Sequence, residues 1–555
     1  MTITRKNAHT TVHLHAHVNL SHDTCNADPL MRDPTTSPAA SLHLLRRTSQ
    51  LLVGLALVAA GVWLGEGYIS RLPDHRGFFL VAVEDAVRTP TPPRPRHTVV
   101  IVVDGLGLAH ARPLRSVARL AAAGQCRDTD VGAISVSRPV YAVLSTGLEQ
   151  DRTGARNNDE TSPLAVESIW EVAREAGLTV SAASDVAWWQ QLFPRGFDDY
   201  RVIPEADDYF ADVPLRDLTL LHPAYIDHAG HAHGSASPAY AEAVARVDRE
   251  LGTLLDRLDL TQDLVVLTAD HGHSATGGHG GPTPEIARVL TCFAGRGVAP
   301  KSEAAPLRAH AIAGSLAVLL GLRFPRHMRA GDDDDLDLAL EIPATDAFSR
   351  AYLEDRRAAV DRFRDANHAS IATWLGRPGE WRDLHAAQRQ PQWLRAGMAV
   401  AVIVAGFALA ARLRRMTARA AFGLAVSFLT VLGATLLLHI LVLGSLDWTA
   451  INTRARYLVR APMICAVPAA LAIALHAWRL RDGSRLVADQ LTFTALALAL
   501  SLAHVVVFGW PLGFPLPGPT LLLYPFLGAF LVVVHGALAV VLAAYVLARA
   551  TIRQR

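Results

Sequence analysis

"VVLTADHGHSATGGHGG", residues 265–281, starts as an aliphatic run and then packs one aspartate, three histidines and five glycines into a short space. The run reads as a buried strand. A loop after a strand needs glycine for a tight backbone path, but it does not need imidazole and carboxylate at this density. Asp270, His271 and His279 at the end of a buried strand have the donor chemistry of a metal centre. One segment cannot complete such a centre, so further ligands have to come from elsewhere in the chain.

The same grammar appears upstream. "TVVIVV" runs into Asp104, "LTVSAAS" reads as a strand, and "LTLLH" ends close to "YIDHAGHAHG", which carries Asp227 and His231. Between these runs lie helical patterns. An apolar-periodic stretch covers 112–123, "AVESIWEVAREAG" stops at Gly177, and "SPAYAEAVARVDRELGTLLDRL" has Ser237 to cap it and Pro238 at its first position. Strand and helix in alternation predict an α/β domain with a mostly parallel sheet flanked by helices. In such sheets ligands collect at the carboxyl ends of strands, which is where Asp104, the 222–227 segment and Asp270 fall. Ser137, in "SVSRPVYAVLSTG", follows the strand-like "VGAIS".

Taken singly these residues are ordinary: an aspartate after a strand is commonly a helix cap, and a histidine in a glycine loop is usually solvated. In order, Asp104, Ser137, Asp227-x3-His231, Asp270-His271 and His279 resemble the alkaline phosphatase superfamily over about residues 97–300, especially its nucleotide pyrophosphatase/phosphodiesterase branch. The resemblance implies an alkaline-phosphatase-like fold and two divalent metal ions of the zinc type. Asp227, His231 and His279 would hold one; Asp104, Asp270 and His271, with the Ser137 oxygen, would hold the other. It also implies Ser137 as nucleophile and Asn158 as a phosphate contact. That branch usually has threonine as nucleophile, whereas "SRPVYAVLSTG" looks closer to ethanolamine phosphate transferases that act on glycolipid anchors. A sulfatase is disfavoured, because Ser137-Arg138-Pro139-Val140-Tyr141 lacks the final arginine of the C/S-x-P-x-R signature. His228, His233 and His273 lie outside the motif, either beside the ligands or as solvated loop residues; Trp188 and Trp189 read as packing.

The chain has 555 residues, 51% of them hydrophobic, with a mean hydropathy of +0.22. That is too apolar for a soluble protein alone. Five long apolar runs crowd the last third: 396–411, 420–443, 461–478, 491–508 and 521–548. Most reach the roughly 17–25 residues that a spanning helix requires. A sixth run, 51–69, reads as an uncleaved anchor in preference to a signal peptide. The organisation expected is a disordered leader (1–45), an anchor (46–70), a catalytic domain (71–345), a helical stalk (346–393) and a five-helix membrane region (394–555). The acidic run at 331–337 reads as a solvated loop.

Arginines at 46–47, 412–419, 479–485 and 549–555 fall on the cytoplasmic side if all six runs span, which puts residues 70–393 outside. Only Arg454, Arg456 and Arg460 conflict with this arrangement. His439, His476, His504 and His535 lie in different spans. They read as helix-pairing hydrogen bonders, with a lipid headgroup site or haem ligation as alternatives. Cys126 and Cys292 lie in the exported part, where a disulfide is permitted, but their spacing establishes none and Cys292 reads as a small buried residue.

The near-balanced formal charge of +2 gives no reason to expect a polyanion or nucleic-acid partner. The leading expectation is a membrane-anchored, metal-dependent phosphoesterase or phosphodiesterase acting outside the cytoplasm through a phosphoserine. The alternative is a phosphoethanolamine-type headgroup transferase using a lipid or glycan acceptor, and a degenerate transporter-like protein is a third, non-enzyme reading.

Overall fold

The computed structural model describes residues 38–71, 81–155, 157–158, 161–203, 210–211, 213–329, 340–378, 381–443, 454–480, 483–508 and 519–554. Most of the leader and the acidic run at 331–337 lie outside these residues. An eight-stranded sheet, order β4-β3-β5-β1-β6-β7-β2-β8, forms the core of the first part. Its strands are β1 (Thr98–Val102), β2 (Gly124–Asp130), β3 (Val180–Ser184), β4 (Asp199–Val202), β5 (Leu218–His222), β6 (Leu264–Thr268), β7 (Arg288–Gly295) and β8 (Leu307–Arg308). Pairing is parallel from β4 through β6, with β7 running antiparallel between β6 and β2. The central strands β1, β3, β5 and β6 are buried along their whole length. That explains why they read as unbroken aliphatic runs instead of alternating.

Register decides where the chemistry falls. Val102 pairs with Thr268 across β1 and β6. Asp104 and Asp270 each follow two residues later, so they leave neighbouring strands at the same height. On the other side of β1, Ile101 pairs with Leu221, which brings the end of β5 to that edge too. The helix Tyr225–His233, which follows β5, carries Asp227. The helix Pro238–Asp256 has Ser237 accepting from the Tyr240 amide, with Pro238 at its first turn, as its sequence predicts.

Two expectations are corrected. "VGAIS" is not a strand: β2 stops at Asp130, and residues 131–136 are an irregular loop leading to the helix Ser137–Thr146. Gln150 satisfies that loop, with its side-chain oxygen accepting from Ile134 N and its Nε2 donating to Val131 O and Ile134 O. Cys292 is not merely a small buried residue. It sits opposite Cys126 in the β2–β7 register and is bonded to it; pairing between strands far apart in sequence is invisible to spacing.

The helix Arg350–Leu375 packs into the same core through Tyr352, Ala359, Val360 and Phe363. Its fully buried Arg356 pairs with the equally buried Asp85 at 2.8 Å, and Arg362 takes the other Asp85 oxygen at 2.9 Å. The stretch expected as a stalk therefore covers the domain over at least that helix.

Among the described residues six helices are long and apolar enough to cross a bilayer: Leu42–Gly67, Trp393–Leu413, Ala418–Leu443, Val459–Trp478, Gly483–Val507 and Leu527–Ile552. This is the composition of a multi-pass membrane protein. The first of these lies in a helix that begins at Pro38, inside the stretch read as leader. It packs on the last span through small residues: a methyl at Gly61 would meet Val532, and one at Gly536 would meet Val58. Such close backbone approach is how apolar helices associate in lipid. Among the membrane histidines, His535 Nδ1 accepts from Gln490 Nε2 at 2.5 Å. His476 Nε2 lies 3.3 Å from the Ser427 hydroxyl on another helix. These are helix-pairing contacts.

The chain has four cysteines. Alkylation of denatured, unreduced protein is expected to modify Cys25 and Cys465 only, with Cys126 and Cys292 joining after reduction. Modification of all four before reduction would refute the bridge.

Candidate metal centre

The carboxyl edge of the sheet brings together Asp104, Ser137, Asn158, Asp227, His231, Asp270, His271 and His279. His271 Nε2 lies 3.3 Å from Asp104 Oδ1, 3.3 Å from Asp270 Oδ2 and 3.3 Å from Ser137 Oγ. A tetrahedron with metal–ligand bonds of about 2.0–2.1 Å has edges of about 3.3–3.4 Å, the length of these three separations from His271, and the donor atoms of Asp104, Asp270 and His271 all lie within 4.8 Å of one another. Asp104 Oδ1 and Asp270 Oδ2 are buried and make no hydrogen bond. Buried carboxylate oxygens are normally satisfied, and a cation fits this pair. A second group adjoins it. Asp227 Oδ2 is 3.4 Å from His231 Nε2, and His231 Nε2 is 3.1 Å from His279 Nε2.

Neighbouring groups fix the imidazole tautomers. His279 Nδ1 donates to the Ser135 carbonyl at 2.8 Å, and His271 Nδ1 is 3.2 Å from the Gly272 carbonyl. Each ring therefore presents a bare Nε2 to the cluster, the usual way that a metal-binding histidine is oriented. The two rings stack with centroids 3.7 Å apart.

Charge makes the same point. Burial, then the neighbouring carboxylates of Asp104 and Asp227, drives the Asp270 pKa well above the ordinary carboxylate value. Burial also pushes Asp104 and Asp227 upward, yet both end up lowered. For Asp104 the neighbouring Asp227 carboxylate adds to burial, and the His222 hydrogen bond and the nearby imidazoles outweigh both; for Asp227 the His273 hydrogen bond and the nearby imidazoles outweigh burial. Burial lowers His271 to about 4 and His279 well below its usual value. Neutral imidazoles and crowded carboxylates form a donor set that a cation would relieve.

His273, outside the motif, lies beside the candidate ligands and is not a solvated loop residue. It is 2% exposed, its Nε2 donates to Asp227 Oδ1 at 2.8 Å, and its donor atom lies within 4.8 Å of those of Asp227, His271 and His279. The available signal was Gly230 on the facing helix, where a methyl would come 2.4 Å from the His273 ring. His231 is the ligand candidate nearest solvent, with its side chain 25% exposed. His228 and His233 are exposed.

Ser137 opens its helix, where the helix dipole favours an anion. Asn158 sits beside it. Its Oδ1 accepts from Arg138 N at 2.9 Å, which turns its amide nitrogen toward Ser137 Oγ at 3.5 Å. The Arg138 guanidinium lies over Trp188 and donates to Gln191. Trp189 is fully buried and stacks on Tyr141, a packing role as expected.

Residues 98–282 match the family model of the type I phosphodiesterase / nucleotide pyrophosphatase. Over 201 residues the chain is 26% identical to the catalytic subunit of human GPI ethanolamine phosphate transferase 3, a match covering 33% of this chain and 18% of that protein. The catalytic subunit of human GPI ethanolamine phosphate transferase 2 is 25% identical over 217 residues, 35% of this chain and 22% of that protein. The match thus spans about a fifth of these relatives' length. Among solved structures, human ectonucleotide pyrophosphatase / phosphodiesterase 5 is 13% identical, with 41% of this chain and 95% of that one covered at a TM-score of 0.34. The alkaline phosphatase PafA is 12% identical, with 43% and 98% covered at a TM-score of 0.35.

Removing the Asp227 carboxylate or the His279 imidazole is expected to lower the metal content of the purified protein while its far-ultraviolet circular dichroism stays the same. Full metal retention in Asp227→Ala would exclude that residue as a ligand.

Proposed function

We propose that this chain is a membrane-anchored phosphotransferase that uses two zinc ions and moves a phosphoethanolamine-type headgroup from a lipid donor to a hydroxyl acceptor, outside the cytoplasm. The observation that carries the proposal is the Ser137 oxygen, 3.3 Å from His271 Nε2 at the head of a helix, with the Asn158 amide facing it. Asp227, His231 and His279 would hold one ion; Asp104, Asp270, His271 and Ser137 would hold the other. Together the ions would polarise the phosphoryl group and favour the ionised serine oxygen. Ser137 Oγ attacks phosphorus in line, forming an Oγ–P bond as the bond to the lipid oxygen breaks, and that oxygen takes a proton from water. Asn158 Nδ2 donates to a non-bridging oxygen as charge builds, and the dipole of the helix that Ser137 opens favours that charge. The acceptor hydroxyl then displaces Ser137 from phosphorus and regenerates it.

Transfer is favoured over the hydrolysis that the sequence put first. The similar curated proteins are named ethanolamine phosphate transferases, and six candidate spans exceed what an anchor requires. The disulfide supports the extracytoplasmic side, because such bonds persist in oxidising compartments.

Enzyme quenched during turnover of a phosphoethanolamine-bearing lipid is expected to carry a phosphoethanolamine adduct on the peptide containing Ser137. The adduct should be absent from Ser137→Ala, whose turnover falls by orders of magnitude. Unchanged turnover in that variant would leave bound water as the attacker. Discharge of the adduct by water alone, with no gain from any alcohol or glycan acceptor, would restore the hydrolase reading.

Reporter fusions after residue 90 and after residue 380 are both expected to read as extracytoplasmic. A cytoplasmic signal at either position would overturn the placement.

A further inference from the structure

Four residues from four different segments form one buried chain that ends on Asp104. Tyr141 Oη donates to Asp104 Oδ2 at 2.6 Å. Because its proton is committed there, Tyr141 has to accept from His222, whose Nε2 lies 2.8 Å away. His222 therefore carries its proton on Nε2 and presents a bare Nδ1, 2.9 Å from the Ser184 hydroxyl. Ser184 Oγ in turn accepts from the Val186 amide at 3.2 Å, which leaves its proton free for His222. All the donors point one way, from the end of β3 through the end of β5 and the helix Ser137–Thr146 to the end of β1. Tyr141, His222 and Ser184 are fully buried and Asp104 is 3% exposed. The Tyr141 ring is held by stacking on Trp189, with centroids 4.2 Å apart and planes at 14°. His222 Nε2 also lies 3.4 Å from Asp104 Oδ2, so Tyr141 and His222, backed by Ser184, together fix the outward oxygen of one of the cluster's carboxylates.

We infer that Tyr141 is a positioning residue, supported by His222 and Ser184, which pins Asp104 Oδ2 so that Oδ1 stays aimed at the cation-binding cluster. This inference rests on the metal reading of the site proposed above. Asp104 sits where β1 becomes a loop, and Gly105 immediately after it has φ +81°, so the local backbone does not by itself decide which carboxylate oxygen faces inward. A hydrogen bond to one oxygen makes that decision, and the other oxygen is left buried with no hydrogen bond. Tyr141 also stands four residues after Ser137, on the same face of their helix. One helix thus brings the nucleophile to the site and steadies the carboxylate that would share its cation. Outer partners of this kind commonly contribute about 10–100-fold to metal affinity.

The test uses the purified full chain in detergent and reads metal, not turnover. Zinc affinity is measured by competition with a chromogenic chelator, and the visible spectrum is recorded after cobalt loading. Tyr141→Phe keeps the ring and its stacking and removes only the hydroxyl. It is expected to weaken one zinc equivalent by about 10–100-fold, leave the other unchanged and alter the cobalt bands. Asp104→Asn should affect the same equivalent. Ser184→Ala should act in the same direction but more weakly, and Ser184→Thr, which keeps a hydroxyl, should restore the wild-type spectrum. These two variants keep the test open if Tyr141→Phe does not fold. Wild-type zinc affinity with unchanged cobalt bands in both Tyr141→Phe and Ser184→Ala would overturn the positioning role and leave the metal reading intact. Wild-type protein that takes up neither zinc nor cobalt would instead refute the metal reading, and the positioning role with it.

Discussion

Three carboxylates, Asp104, Asp227 and Asp270, converge in a buried space at the carboxyl edge of one sheet. Burying one charge is costly and burying three together is more so, unless they are paired or bound to cations. The surroundings are shaped by this constraint. The His271 and His279 pKa values are held low and their tautomers are set by backbone carbonyls. Asp270 accepts from the Gly105 and His271 amides. Such a site is balanced for cations, and the nucleophile candidate stands at its lip because its helix begins there.

Close packing is what lets the carboxylates meet. Gly105 lies against the helix that bears Asp227, and a methyl there would come 2.8 Å from the Asp227 Cα. Gly230 does the same for the His273 ring. These glycines are needed for close approach between segments, whereas the glycines at 277, 278 and 280 serve a loop path with positive φ. Behind the site Trp189 stacks on Tyr141 and meets Trp170 edge-on.

The membrane region follows different physics. In lipid the apolar faces gain little by meeting one another, so its contacts rely on small residues and on polar pairs. Gly61 and Gly536 give close approach between the first and last spans. Gln490 with His535, and Arg414 with Asp489 at 2.5 Å, join others. Engagement of the first span with the last gives it a structural place in the bundle beyond that of a simple tether.

The sequence by itself determined the α/β class, the apolar runs long enough to span and the candidate ligands, because each leaves a local trace. Buried parallel strands read as aliphatic runs, spans as length and hydropathy, and ligands as polar residues at strand ends beside glycine. What only the tertiary structure decided depends on residues distant in the chain. The disulfide joins strands 166 residues apart in sequence. The helix Arg350–Leu375 closes over the domain through an arginine matched to Asp85. His273 enters the cluster because Gly230 on another helix leaves it room, and Tyr141 meets Asp104 only when β1 and the helix after β2 are brought together. Local pattern specifies what a segment is; which buried hydrogen bond or methyl-sized gap it finds across the fold is set by packing alone.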